Sequence, residues 1–123
     1  MKTAVIILGH GSRREGAGGP LQGLAAAVRQ RGGHAAVEHA FLQYATPMFP
    51  EAVDRIVAAG AERVVIVPFF VQPGHHVTGD IPRLVREAQV KHPLLAFQVT
   101  DYVGAHPMMA QIVEDLVGNS DAE

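Results

Sequence analysis

The chain has 123 residues, 48% of them hydrophobic and 18% charged, with a formal net charge of −2. That length suits one domain with a real core and is too short for two. The near-neutral balance without a basic run excludes a broad nucleic-acid footprint, and the absence of cysteine excludes disulfides, thiolate metal sites and a cysteine nucleophile.

Ala4 to Leu8 is a continuous apolar run that stops at Gly9 and predicts a strand buried on both faces. Gly11 to Pro20 is rich in Gly and Arg and reads as a loop. Leu21, Leu24, Ala25 and Val28 mark one helix face, ended by Gly32-Gly33. Ala35 to Leu42 predicts a second strand. Phe49, Ala52, Val53, Ile56 and Val57 mark a second helix, with Pro47 and Pro50 in its opening and Gly60 at its end. Arg63 to Phe70 is the strongest strand pattern, and Pro68 marks its departure from regular pairing.

Gln72 to Gly79 reads as a polar loop, with Asp80 as the N-cap of a third helix and Pro82 in its first turn. Ile81, Leu84, Val85 and Ala88 form that helix's buried face. Leu94 to Thr100 predicts the fourth strand. Met109, Ile112, Val113, Leu116 and Val117 mark a last helix, with Met108-Met109 read as core. The expectation is one α/β domain over residues 1–118 and a polar tail over 119–123. Its order is βαβαβαβα, with four parallel strands in the flavodoxin-like order 2-1-3-4 and helices on both faces. No apolar run is long enough to span a membrane, and the N-terminus lacks a signal-peptide core, so a cytoplasmic protein is expected.

In such a sheet, ligands bind beyond the carboxyl ends of the strands where the strand order reverses, here between strands 1 and 3. The loops there are Gly9 to Arg14 and Gln72 to Asp80, and both carry histidine. Neighbouring strands lie about 4.8 Å apart, so imidazoles from the two loops can converge on one ion. Two histidines without a third ligand make an open metal site, suited to handing a metal on. The alternative reading of Gly9-His10-Gly11 is a tight turn whose imidazole bonds only to backbone. His34, His39, His92 and His106 are expected at the surface or as caps. Arg13 and Arg14 read equally as ligand contacts or as solvated charges.

The chain resembles the short form of the CbiX-type chelatases, small class II tetrapyrrole chelatases acting on sirohydrochlorin. The matching stretches are Leu8 to Arg13, Glu38 to Leu42 with Pro47, Val67 to Val71, Gly74 to Pro82, and Gly104 to Pro107. They run through nearly the whole chain in the family's order. The segment Gly74-His75-His76-Val77-Thr78-Gly79-Asp80-Ile81-Pro82 is the most specific.

The resemblance implies that His10 and His76 are the catalytic, metal-binding pair, with His76 rather than His75 at the family position. It implies a divalent metal as substrate, cobalt first and nickel or iron as alternatives, inserted into sirohydrochlorin in cobalamin-type biosynthesis. It also implies a homodimer, since longer relatives have two such lobes. Gln43 departs from the pattern, because many relatives have Glu there. Substrate contacts are expected from Ser12, Arg13, Arg14, Phe41, Phe70, Gly74 and His75, the arginines answering the substrate's carboxylates. No P-loop occurs, so no nucleotide is expected; nor is nucleic acid or membrane. Two rivals stand beside this. One is phosphotransfer through His10, although Gly9 stands where histidine phosphatases have Arg. The other is a dimeric metal or tetrapyrrole carrier that uses the same histidines without turnover.

Overall fold

The computed structural model describes residues 1–72 and 74–120, with His76 and Val77 described by their backbone alone. Strands β1 (Thr3–Gly9), β2 (Ala36–Phe41), β3 (Arg63–Pro68) and β4 (Ala96–Val99) alternate with helices α1 (Gly19–Arg31), α2 (Phe49–Ala58), α3 (Ile81–Lys91) and α4 (Met109–Asn119). The strands form one parallel sheet in the order β2-β1-β3-β4. The expected flavodoxin-like order is therefore the observed one.

The period of two along β1 sorts its side chains between two cores. Ala4, Ile6 and Leu8 join Val64 and Ile66 of β3 under α2 and α3, with Phe49, Ile56 and Ile81 fully buried among them. Ile7 points to the other face and joins Leu21 and Ala25 of α1 with Val37 and Phe41 of β2. Each such aliphatic side chain contributes about 1.5–3 kcal/mol on full burial. Together they hold β1 and β3 side by side, which sets where their two following loops emerge.

Several expectations are corrected. β4 is Ala96–Val99 rather than Leu94 to Thr100, and Leu94 lies almost fully exposed before it. β3 stops at Pro68, short of the expected Phe70. Pro47 precedes α2, behind a cis Thr46–Pro47 peptide, while Pro50 does sit in the first turn. The polar loop expected to reach Gly79 is helical from His76, where a π-type turn, His76–Asp80, runs straight into α3. Asp80 accordingly has helical angles (φ −69°, ψ −42°) and makes no side-chain cap. A capping side chain needs extended backbone at that residue.

The last helix differs most. α4 forms where its pattern predicts, but none of its residues is buried, and Met108 before it is exposed too. Gly118 and Asn119, expected near or in the polar tail, are still helical. Tail residues 121–123 lie outside the described residues.

Candidate functional site

The site begins where β1 ends. Pairing between β1 and β2 does not stop at the last strand residues: Leu42 N donates to Gly9 O (3.0 Å) and Gln43 N donates to His10 O (3.2 Å). Gly11 follows with φ +95°, and a Cβ there would stand 1.7 Å from the Gln43 carbonyl oxygen. Only glycine permits both this angle and this approach. The loops after β1 and β2 are thus zipped together, with His10 and Gln43 at the seam.

The imidazole of His10 is fixed from both nitrogens. Nδ1 is 3.0 Å from Gly11 O, and Nε2 is 3.1 Å from Gln43 Nε2. A carbonyl only accepts, so Nδ1 carries the hydrogen and donates it. In the neutral ring Nε2 then holds a lone pair, and the group facing it must donate, which the Gln43 amide does. This arrangement presents a metal-ready nitrogen capped by a neutral, displaceable donor.

Around His10 the loop is shaped by its own backbone. Ser12 Oγ accepts from Arg14 N at 3.0 Å, so Ser12 acts first as a turn-former. Arg13 lies over the Tyr44 ring with its guanidinium carbon 4.3 Å from the centroid. Tyr44 has φ +64°, an uncommon angle for a residue with a side chain. A cavity of about 490 Å³ opens along His10, Gly11, Ser12, Arg13 and Tyr44. A second, of about 230 Å³, is shared by His10, Gly18, Phe41 and Phe69.

The aromatic candidates separate. Phe41 is buried in the α1 core, with its ring tip against Gly18, and lines the smaller cavity. Phe70 packs against the main core. Phe69 is the exposed one, 44% accessible and lining a cavity with His10. Tyr44 is absent from the expected substrate contacts, whereas Phe69 is expected, with Phe41 and Phe70, as a ring able to flank the substrate plane. The doublet Phe69-Phe70 gave no means of choosing its outward member, and a left-handed Tyr44 has no sequence signature.

The partner loop leaves β3 beside this seam. Phe69 N donates to Leu8 O at 2.8 Å, one bond past the end of the strand. Gly74 and His75 are exposed, and Thr78 caps back onto Gly74 O through both its N–H and its hydroxyl at 3.1 Å. His76 starts the π-type turn. Its side chain lies outside the described residues, so the expected approach of His76 to His10 stands on topology: their loops follow hydrogen-bonded neighbours β1 and β3. Among the described residues no group of three or more His, Cys, Asp or Glu is placed to hold a metal.

Two of the other histidines take structural roles. His106 Nδ1 accepts from Met108 N (3.0 Å) at the start of α4, and His92 Nε2 pairs with Asp54 Oδ1 (2.9 Å). Burial of His39 pushes its imidazole below the ordinary value; Glu38 opposes this, and Arg55 and Arg29 add to it.

A parallel 2-1-3-4 sheet with an imidazole presented at the switch point defines a doubly wound α/β ligand-binding lobe. The CbiX family profile matches residues 4–120, and the chain belongs to the CbiX family. A chloroplastic sirohydrochlorin ferrochelatase of Arabidopsis thaliana is 33% identical over 113 residues, covering 92% of this chain and 50% of the relative. A sirohydrochlorin cobaltochelatase of Methanothermobacter thermautotrophicus is 30% identical, covering 94% of this chain and 91% of the relative. The sirohydrochlorin chelatase SirB of Bacillus subtilis subspecies spizizenii, solved with cobalt, superposes with a TM-score of 0.88 at 22% identity over 97% of this chain and 51% of its own, which establishes a shared fold. The chain spans between 37% and 62% of the length of several curated relatives it matches. No helix among the described residues is long and apolar enough to cross a membrane.

Proposed function

We propose that the chain is a chelatase that inserts a divalent metal, cobalt first, into sirohydrochlorin. The observation that carries this is the His10 imidazole, whose Nδ1 is tied to Gly11 O and whose Nε2 faces the neutral amide of Gln43. The names of its relatives within the CbiX family supply the substrate class.

In this reading the incoming ion displaces the Gln43 amide and binds His10 Nε2, with His76 as its second protein ligand. Insertion removes two pyrrole N–H protons per metal, and each imidazole that gives up the ion becomes a base able to receive one. Arg13 and Arg14 face the substrate's carboxylates, Arg13 held ready by Tyr44. Ser12, Gly74 and His75 contribute loop contacts, and Phe69 offers the exposed ring surface. Phe41 and Phe70 serve chiefly by packing beneath these loops. A second copy supplies the opposite wall of the cleft, and the protein works in the cytoplasm. Cobalt is favoured over iron and nickel because cobaltochelatase is the commonest name among the matched relatives.

One observation favours a second reading. The group against His10 is an amide rather than a carboxylate, so it takes no proton itself, which suits a carrier that binds without turnover. Absorbance of sirohydrochlorin with Co²⁺, Ni²⁺ and Fe²⁺ in parallel separates the two. Product in excess of protein supports the enzyme, and a plateau at one equivalent supports the carrier.

A further inference from the structure

Position 44 follows directly on the seam between the first two loops. Gln43 is held there by its N–H on His10 O and by its carbonyl against Gly11, and Tyr44 then takes φ +64°. Glycine and asparagine enter that left-handed region readily, whereas a bulky side chain does so at a cost. The ring carried there meets Arg13 of the facing loop, whose guanidinium carbon stands 4.3 Å from the ring centroid. Backbone strain of this kind persists only where the surroundings hold it, and it gathers at ligand sites.

Arg13 differs from other arginines of the chain. Arg55 pairs with Glu38, and Arg83 pairs with Asp80 and Glu87. Among the described residues no carboxylate pairs with Arg13, and its contact is the Tyr44 ring. The cavity of about 490 Å³ that the two share with His10, Gly11 and Ser12 has no acidic residue in its wall. A guanidinium has five N–H donors in a planar fork, more than one ring can engage, and a carboxylate fits such a fork through both its oxygens. A free arginine gives up rotamer freedom when it binds. One already seated on a ring has given it up beforehand, so less affinity is forfeited.

Resting on the reading above, we infer that Tyr44 is a specificity-determining residue: by seating Arg13 beside the His10 cavity, it makes the chain select tetrapyrroles with carboxylates on the ring edge over those with alkyl edges. It acts through Arg13, and so is a positioning residue rather than a catalytic one.

The test reads binding of metal-free tetrapyrrole, which does not depend on turnover. Quenching of tetrapyrrole fluorescence gives dissociation constants for sirohydrochlorin, rich in carboxylates, and for mesoporphyrin, whose edge is mostly alkyl. The parent is expected to prefer sirohydrochlorin. Tyr44→Leu is expected to weaken sirohydrochlorin binding about threefold to fivefold, the scale of an exposed cation–π contact, and to leave mesoporphyrin within about twofold. Tyr44→Phe keeps a ring face and is expected to match the parent. In an Arg13→Ala chain, adding Tyr44→Leu is expected to cost nothing further.

A parent without preference, or a Tyr44→Phe loss equal to that of leucine, overturns the inference. So does a further loss on top of Arg13→Ala, or an equal loss for both tetrapyrroles, which would make the ring a stacking platform. Arg13→Lys keeps the charge without the planar fork and leaves residue 44 untouched. It is expected to weaken sirohydrochlorin binding severalfold, and parent affinity in that chain overturns the inference even where circular dichroism shows the leucine chain unfolded. Failure of the chelatase reading shows separately, as metallated product that never exceeds the protein while the binding preference stands.

Discussion

Gln43 Nε2 faces His10 Nε2 at 3.1 Å, so the side chain after the second strand governs the nitrogen offered by the loop after the first. In the proposed function, the residue type at position 43 therefore sets what an incoming metal must displace, and what charge it finds there.

Gln43→Glu replaces a neutral donor with an anionic oxygen ligand. Co²⁺ affinity is expected to rise on the order of tenfold, the scale of effects from groups contacting a metal-binding histidine. Titration calorimetry near neutral pH checks this; unchanged affinity would mean that residue 43 does not reach the ion.

His10→Ala and His76→Ala are each expected to reduce insertion by at least about a hundredfold, since each removes one of the two proposed protein ligands. The fold should persist, because His10 is exposed and outside both cores. His75→Ala is expected to cost severalfold at most. Initial rates from the tetrapyrrole spectrum distinguish these, and an equal loss at His75 would reverse the choice between the neighbours.

Gly11→Ala drives a Cβ into the Gln43 carbonyl at a backbone angle that favours glycine. The cost is expected at about 2 kcal/mol or more, together with loss of metal binding as the seam opens. Thermal melting and calorimetry on the same sample read both. A stable variant that still binds Co²⁺ would show that the seam is not needed.

Arg13→Ala is expected to raise the KM for sirohydrochlorin severalfold with kcat little changed, as for loss of a contact made equally in ground and transition states. A fall in kcat alone would place Arg13 in the chemistry rather than in docking.

Asp54 accepts from Lys91 Nζ at 3.0 Å and from His92 Nε2 at 2.9 Å, joining α2 to the end of α3. These hydrogen bonds, Lys91's first, hold its carboxyl below the usual carboxylate value. A depressed carboxylate binds fewer protons folded than unfolded, so its contribution is present above the unfolded value and lost as pH falls through the folded one. Asp54 is half exposed, so the contribution is on the order of 0.2–1 kcal/mol. Asp54→Asn should lower stability at neutral pH by that amount and match the parent in strong acid. Urea melts at the two pH values test it, and a deficit of the same size at both would exclude the ionic origin.

Much of this architecture can be read from local pattern. The run Ala4 to Leu8 and the spacing Phe49, Ala52, Val53, Ile56 report burial directly, because each element's period meets a core. The switch-point rule then puts His10 at a ligand mouth without any coordinates. What escaped was set by contacts between segments. The amide of Gln43 reaches His10 because backbone pairing continues past both strands, and nothing in either loop's own sequence announces that. Asp80 followed the N-cap rule but lies in a helix already begun at His76. The stripe on α4 predicted a buried face, but no residue of that helix is buried, because periodicity alone does not say which surface receives it.

The backbone of residue 43 is anchored through its own N–H to His10 O and by Gly11 pressed against its carbonyl, so neither anchor consults its side chain. The position behaves as a socket: acid, amide or another polar group can be plugged in beside the His10 imidazole without redrawing the loop. In the proposed function, one substitution there would change what an incoming ion meets while leaving the rest of the lobe as it is.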